Sequence, residues 1–450
     1  VRAYVLADLG FGDAGKGLLT DWLVRRTGAT LVVRYNGGAQ AGHNVVTPDG
    51  RHHTFAQLGA GTFVPGVRTF LSRHVVIHPT ALLAEAEALA AKGVGDALSR
   101  LSISEGALVI TPFHQAAGRL RELARGAARH GSCGVGVGEA VEDALTRPDE
   151  AVRAGDLRHP ALLRGKLLRL RERKAAEVEA LGPIAGMGAA REHGAFTSAD
   201  LSERWLEVAT HLAGLGLVVP DATLAAAMAG AGSVIFEGAQ GVLLDEQAGF
   251  HPFTTWSRCT PENALALLAE AAPGAQVQTI GVLRSHAVRH GPGPLPTESP
   301  DLRPAIFDHN GFGEWQGAVR YGWFDPVLAR YALDVAGPFD RIALTHLDAP
   351  ARLGRWRVCT GYAMLATEER DADLIAEKDA AGRVTRLAAP LEPGLSRQER
   401  LTGLLSRVLP AFEDCEPSEA AVLRRMQALL GQSIDFISRG PRAGDVSLGS

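Results

Sequence analysis

At 450 residues the chain exceeds the usual size of one hydrophobic core, so the sequence predicts a single large unit carrying substantial insertions. A hydrophobic content of 46%, a charged content of 21% and a net charge of −4 fit a globular protein and give no global case for nucleic acid or a membrane surface. Four scattered cysteines, at positions 133, 259, 359 and 415, form no CxxC or Cys/His cluster, which argues against structural zinc and for a reduced, cytoplasmic setting.

No apolar stretch reaches the ~20 residues of a membrane span, and the chain enters a strand at once, without the pattern of a secretory leader. That strand, residues 3–9, is followed by the glycine-rich stretch 10–17 (GFGDAGKG) and then by an amphipathic helix from residue 18. Strand, glycine turn and helix form the geometry that aims backbone N–H groups and a helix N-terminus at a phosphate. Gly10, Gly12 and Gly15 satisfy a dinucleotide fingerprint, but the second strand, 31–35, ends without the acid that would hold a ribose. Gly10, Gly15 and Lys16 satisfy most of a phosphate-binding loop, but Gly17 stands where a Ser or Thr should ligate Mg²⁺. Lys16 and the embedded Asp13 favour phosphate plus metal.

The second strand runs into residues 37–43 (GGAQAGH), a glycine-rich loop beyond the carboxyl end of a strand, where ligands collect in open α/β sheets. His43 is therefore a candidate functional residue. Apolar runs at 67–71 and 75–77 follow, then a helix opened by Pro79 with Leu82, Ala86 and Leu89 on one face. Residues 107–128 read as a strand passing into a basic helix, and 131–138 (GSCGVGVG) as a second glycine loop. The helix at 161–174 is strongly basic; without interleaved aromatic residues it reads as a solvated face and not as a nucleic-acid surface.

Amphipathic helices are expected at 201–212 and 222–229. The strand 233–237 ends in GAQGVLLD (238–245), where Gln240 between glycines reads as a ligand contact. A strand at 276–283 feeds the stiff, proline-rich loop 289–298. After 322–325 (GWFD) come a helix to about 334 and the strand 341–345, ending in His346-Leu347-Asp348. The last third adds a strand at 355–363, helices near 396–409 and 417–430, and a final strand at 434–437. Strands separated by helices predict an α/β fold with a mostly parallel, twisted, P-loop-like central sheet and helices on both faces. The expected organisation is one unit, 1–450, with insertions near 80–130 and 140–230 and a C-terminal subdomain at about 350–450.

The order of these loops resembles the adenylosuccinate synthetase family. The likeness rests on GDAGKG (12–17), VRYNGGAQAGH (33–43), FEGAQGVLLD (236–245), GPLPTE (293–298), GWFD (322–325), LTHLD (344–348) and ISRGP (437–441). It implies a GTP-dependent ligase that phosphorylates the 6-oxygen of inosine monophosphate (IMP) or a similar purine nucleotide. The amine of aspartate then displaces the phosphate. By resemblance Asp13 is the base and a Mg²⁺ ligand, and Gly42 offers its carbonyl to the metal. His43 hydrogen-bonds the transferring phosphoryl group and Lys16 balances its charge. Gly12, Gly15 and Gly17 belong to the nucleotide loop. Asp348 accepts from guanine, with Ser438 and Gly440 lining the same pocket. Gln240 and Thr255 contact the inosine nucleotide, and Arg147 reaches a neighbouring subunit, which implies a homodimer.

Departures from the family pattern cluster. Gln40 replaces an asparagine, Ser132-Cys133 a threonine pair, Val135 an arginine and His346 a lysine. The stretch 312–322 (FGEWQGAVRYG) replaces the threonines and arginine run that hold the aspartate carboxylates; Arg320 alone remains and matches either that clamp or an arginine facing GTP. Arg258 and Arg289 are candidate substitutes. A paralogue with another acceptor or amine, and a catalytically silent nucleotide-binding regulator, are the competing expectations.

Overall fold

The computed structural model describes residues 1–303, 306, 311–365 and 369–449. Its centre is a ten-stranded sheet in the order Val446–Leu448, Phe436–Ser438, Arg341–Thr345, Gln276–Arg284, Arg2–Asp8, Ser233–Glu237, Leu31–Arg34, Arg68–Leu71, Leu101–Ser104, Val218–Val219. Neighbours are parallel throughout, except that the edge strand Val446–Leu448 runs antiparallel to Phe436–Ser438.

Parallel strands joined by helical crossovers are covered on both faces, which explains the unbroken apolar runs. Leu31–Arg34 and Ser233–Glu237 are buried at every residue. Alternate side chains divide between two cores. Val5, Val33 and Phe236 meet Leu224, Met228 and Leu267 on one face, whereas Leu6, Val32 and Ile235 meet Leu19, Trp22 and Leu23 of the helix Lys16–Thr27 on the other. The α/β class and the mostly parallel sheet are as expected.

Between Arg68–Leu71 and Val218–Val219 the chain adds six helices, from Pro79–Ala90 to Leu201–Gly214. Pro160–Glu179 is the basic helix, and its expected solvated face holds only in part. Leu163, Leu167, Leu170, Lys174 and Val178 form its buried stripe, so Lys174 falls at an inward position of the 3.6-residue period. Its ammonium meets Glu139 at 2.8 Å, Asp143 at 3.0 Å and Glu177 at 3.1 Å. These contacts fasten the helix Val137–Thr146, directly after the second glycine loop, to its neighbours.

The C-terminal part adds a four-stranded antiparallel sheet, Ile375–Lys378, Val384–Leu387, Trp356–Met364, Val408–Cys415. The helix expected over 396–409 stops at Leu405, because Val408–Cys415 pairs with Trp356–Met364. Residues 434–437 are not the last strand either; the chain turns back as Val446–Leu448 and closes the sheet edge.

Candidate active site

The strand Arg2–Asp8 ends in a loop, and the helix starts at Lys16 with Gly15 in a left-handed conformation at its N-cap. A methyl group at Gly17 would lie 2.9 Å from the Cβ of His43 and from the carbonyl oxygen of Asn44. The first helical turn therefore abuts the strand His43–Val46, and the Ser or Thr of a phosphate-binding loop has no room here. Gly241 is as restricted, since a Cβ there would sit 2.2 Å from the carbonyl oxygen of Gly10. Leu243 N–H donates to that same oxygen at 3.1 Å. The loops after the first strand and after Ser233–Glu237 thus meet backbone to backbone, with Gly12 at φ 109° and Gln240 at φ 54°.

Asp13 lies on this loop between His290 and Arg284. His290 Nε2 is 3.0 Å from its Oδ2, and Arg284 Nη1 donates to its backbone carbonyl at 3.0 Å. Burial works to raise the Asp13 carboxyl, but the His290 hydrogen bond and charge outweigh it, with Arg284 and Lys16 adding, so the group lies below the ordinary carboxylate range. Asp13 is therefore an ionised oxygen donor. Lys16, expected to face a phosphoryl group, instead lies beneath the loop, with its ammonium 3.0 Å from Asp8 and 2.7 Å from the Gly12 carbonyl.

His43 opens the short strand His43–Val46 and is buried. Its Nδ1 meets Glu237 Oε1 at 2.7 Å, and the other Glu237 oxygen accepts from Ala60 N–H at 3.0 Å. Burial outweighs the attraction of Glu237 and holds His43 below its usual pKa; burial raises Glu237, but His43 and Arg34 bring it down overall. The pair is a neutral imidazole donating from Nδ1 to a carboxylate, a tautomer assigned from the hydrogen-bond network. Nε2 takes no part in that contact.

Asn36 clamps the third loop, donating to the Ala239 carbonyl at 2.9 Å and accepting from Ala239 N–H at 2.7 Å. Beside it, the Oε1 atoms of Gln40 and Gln240 are buried with no hydrogen-bond partner among the described residues. They flank adjacent glycines: Cβ atoms built on Gly38 and Gly37 would lie 2.9 and 2.7 Å from them respectively. Thr255 N–H donates to the Leu244 carbonyl at 2.8 Å, tying its segment to the same loop. Gly42 is exposed just before His43, and Cys133 is half-buried on the second glycine loop, with its thiol pushed up by burial. Arg147 is exposed at the end of Val137–Thr146, without an ion-pair partner among the described residues.

Asp348 begins the short helix Asp348–Leu353 after the strand Arg341–Thr345 and pairs with Arg352 at 3.0 Å. Burial raises its carboxyl against the pull of Arg352. Ser438 ends the neighbouring strand; its carbonyl accepts from Leu347 N–H at 3.0 Å and its hydroxyl donates to the Gly440 carbonyl at 2.7 Å. Asp348, Ser438 and Gly440 are thereby brought to one place. Thr345 Oγ1 donates to the Ala14 carbonyl at 2.7 Å, which links this place to the Asp13 loop. His346, where the family pattern has a lysine, is held well below its usual pKa by burial and then by Arg284 and Arg352; its backbone takes φ 56°.

The divergent stretch 312–322 lies across the second glycine loop. A Cβ at Gly134 would come within 2.5 Å of the Trp315 ring, and the Arg119 guanidinium sits 5.2 Å over that ring. Nearby guanidinium groups are engaged within the protein. Arg119 donates to the Gly134 carbonyl and to Glu192. Both Nη atoms of Arg320 donate to the Gly293 carbonyl, and Glu298 is 3.5 Å away. Arg289 donates to the carbonyls of Pro292, Pro294 and Phe253 and stacks on Phe11. Arg258 pairs with Asp245 at 2.6 Å and Glu262 at 2.7 Å. Neither expected substitute, Arg258 or Arg289, presents an uncommitted fork.

Glu237, Asp8, Arg284 and His290 escaped the sequence reading, although each touches a residue that reading singled out. Among the described residues no three His, Cys, Asp or Glu side chains converge to cage a metal. Mg²⁺ needs no such cage, because it is usually held by one or two carboxylates, waters and substrate phosphates. The ionised Asp13 fits that demand.

Residues 5–446 match the family model described as adenylosuccinate synthetase. The adenylosuccinate synthetase of Mycobacterium leprae is 32% identical over 98% of this chain and 96% of its own length, and that of Desulfovibrio desulfuricans 31% identical over 96% of each. The fully ligated adenylosuccinate synthetase of Plasmodium falciparum shares the fold, with a TM-score of 0.76 at 20% identity over the whole of both chains. A succinoaminodeoxyadenylate synthetase from cyanophage S-2L, bound to dGMP and dATP, shares it more loosely, with a TM-score of 0.53 at 16% identity over 100% of this chain and 95% of its own. No helix among the described residues is long and apolar enough to cross a membrane.

Proposed function

The chain belongs to the adenylosuccinate synthetase family, and we propose on that footing that the loops gathered around Asp13 are its catalytic centre. The family is one of GTP-dependent ligases, and this chain is a C–N bond-forming enzyme of purine nucleotide metabolism that joins IMP and aspartate as adenylosuccinate. The proposal concerns which residues carry the chemistry.

A lactam oxygen is a poor leaving group and must first be phosphorylated, which requires a base at the neighbouring ring nitrogen. Asp13 takes that proton, held ionised by His290 and steadied through its carbonyl by Arg284. His43, oriented by Glu237, offers Nε2 to the transferring phosphoryl group. Gln40, Gln240, Thr255 and Cys133 line the purine nucleotide's site, where the two unpartnered amide oxygens supply acceptors. Asp348 accepts from the guanine of GTP, beside Ser438 and Gly440, so base recognition and chemistry lie at different strands of one sheet. Asp13 and the Gly42 carbonyl would hold Mg²⁺, which neutralises phosphate charge during transfer. Arg147 extends toward a second copy of the chain, giving a homodimer. The whole of 1–450 acts as one functional unit, in keeping with a cytoplasmic enzyme.

The observation that carries this reading is the meeting of Asp13, the His43–Glu237 pair and the two amide oxygens at loops sealed together by Gly241. Purified protein given GTP, Mg²⁺, IMP and aspartate should release phosphate and form adenylosuccinate in equal amounts. Absence of both products would refute it.

A second reading keeps the GTP half and changes the amine donor. It is favoured by the engagement of Arg119, Arg258, Arg289 and Arg320 within the protein, where a dicarboxylate needs charge-assisted partners worth ~1.5–3 kcal/mol each. Phosphate release that depends on IMP but is coupled to a monocarboxylic amino acid, and not to aspartate, would select it.

A further inference from the structure

A phosphate-cradling loop turns its backbone N–H groups and its lysine toward an anion outside the loop. Here the same groups face inward. Asp8, the last residue of the first strand and 1% exposed, accepts at Oδ1 from Gly10 N–H at 2.8 Å and Gly12 N–H at 3.2 Å. Its Oδ2 accepts from Ala14 N–H at 2.7 Å and from the Lys16 ammonium at 3.0 Å. Neither side chain reaches solvent, and Lys16 completes its bonding at the Gly12 carbonyl, 2.7 Å away.

We propose that Asp8 is a built-in anion that occupies the inside of this loop in the role phosphate has elsewhere, making Lys16 an internal brace and Asp8 the residue that positions Asp13. The inference rests on the reading of Asp13 as catalytic base. Three N–H groups and one ammonium converge on one carboxylate, so the curvature of residues 10–14 is set from within. Asp13, one residue before Ala14, is thereby turned out of the loop toward His290. A charge-neutral Asp8–Lys16 pair leaves no cation for an incoming phosphoryl group. At the outer face the cation is Arg284, which already donates to the Asp13 carbonyl, with His290 beside the Asp13 carboxylate. The site therefore meets GTP with its loop already shaped and needs no phosphate to fold it.

Amine labelling of the intact protein, read residue by residue by mass spectrometry, separates this from a lysine that contacts GTP. Lys16 should stay unlabelled in the wild-type protein both with and without Mg²⁺–GTP, and become reactive in Asp8→Asn. Labelling of wild-type Lys16 that GTP suppresses would overturn the proposal, and this measurement stands even if Asp8→Asn folds poorly. If that variant folds, kcat should fall at least about tenfold while KM for GTP stays within about threefold, the pattern of lost positioning and not of lost ground-state binding. A rise in KM for GTP with unchanged kcat would count against it. Wild-type adenylosuccinate formation is assayed in parallel. Its absence would defeat the functional reading, whereas the labelling result would still decide where Lys16 lies.

Discussion

The Nε2 of His290 stands 3.0 Å from Oδ2 of Asp13, joining the proline-rich loop to the first glycine loop across the mouth of the site. Because this contact favours the ionised carboxylate, the base proposed here should stay ionised as pH falls through the usual carboxylate range. Replacing His290 by Asn removes the charge, and the acid limb of kcat/KM should move to higher pH. A pH–rate profile checks this, and an unmoved limb would show that another group sets it. Asp13→Asn should lower kcat by roughly 10²–10⁴, the usual contribution of a general base, with nucleotide binding retained in a titration.

Glu237 fixes the His43 ring through Nδ1. Glu237→Gln keeps the volume but allows the amide to donate, so the imidazole no longer has one preferred tautomer. A fall in kcat of roughly 10²–10⁴-fold with little change in either nucleotide's KM is expected, by analogy with other carboxylate-oriented histidines. Equal loss through KM alone would mean that Glu237 acts only on binding.

In the proposed reading Asp348 is the guanine acceptor, on a different strand's loop from Asp13. Asp348→Ala should remove one or two charge-assisted hydrogen bonds, about 1.5–3 kcal/mol each, and so raise KM for GTP by roughly 10–100-fold or more. The preference over ATP should narrow correspondingly. Competition between the two nucleotides in one reaction mixture measures it directly.

Asp325 caps the helix Pro326–Ala336, accepting from Val327 and Leu328 N–H, and receives the Tyr362 hydroxyl at 2.6 Å. Burial pushes its carboxyl from the ordinary 3.8 up to about 6. A raised folded-state pKa gives a stabilising contribution that is full below about 3.8 and lost as pH rises through about 6. Asp325→Asn keeps a capping oxygen and cannot ionise, so above pH ~6 it should be more stable than wild type by up to about 3 kcal/mol, converging on it in acid. Denaturant unfolding across pH measures the difference, and a variant less stable at neutral pH would contradict it.

The sheet was readable from sequence because its central strands are unbroken apolar runs between helices. Asp13, His43 and Gln240 stood out as candidates because glycine loops at strand ends leave few other reasons for a polar side chain. Glu237 and Asp8 were not. Each is an acid closing an apolar strand, which looks like an ordinary water-facing terminus until its partner is known; His43 lies 194 residues from Glu237. Lys174 was masked by the five other basic residues of its segment, since charge composition does not show which residue falls on the inward stripe. The glycine at position 17, where a phosphate loop has Ser or Thr, is explained by a contact that spacing cannot carry, that of Gly17 with His43.

The edge hairpin of Phe436–Ser438 and Val446–Leu448 also acts as a fastening for the turn beside it. Asp445 lies against Gly440, and its carbonyl accepts from Arg439 N–H, so the turn at Ser438 and Gly440 is held by chain that follows it in sequence. Loosening this hairpin should therefore disturb the turn at Ser438 and Gly440 first, and reach the loops of Asp13, His43 and Gln240 only through the shared sheet.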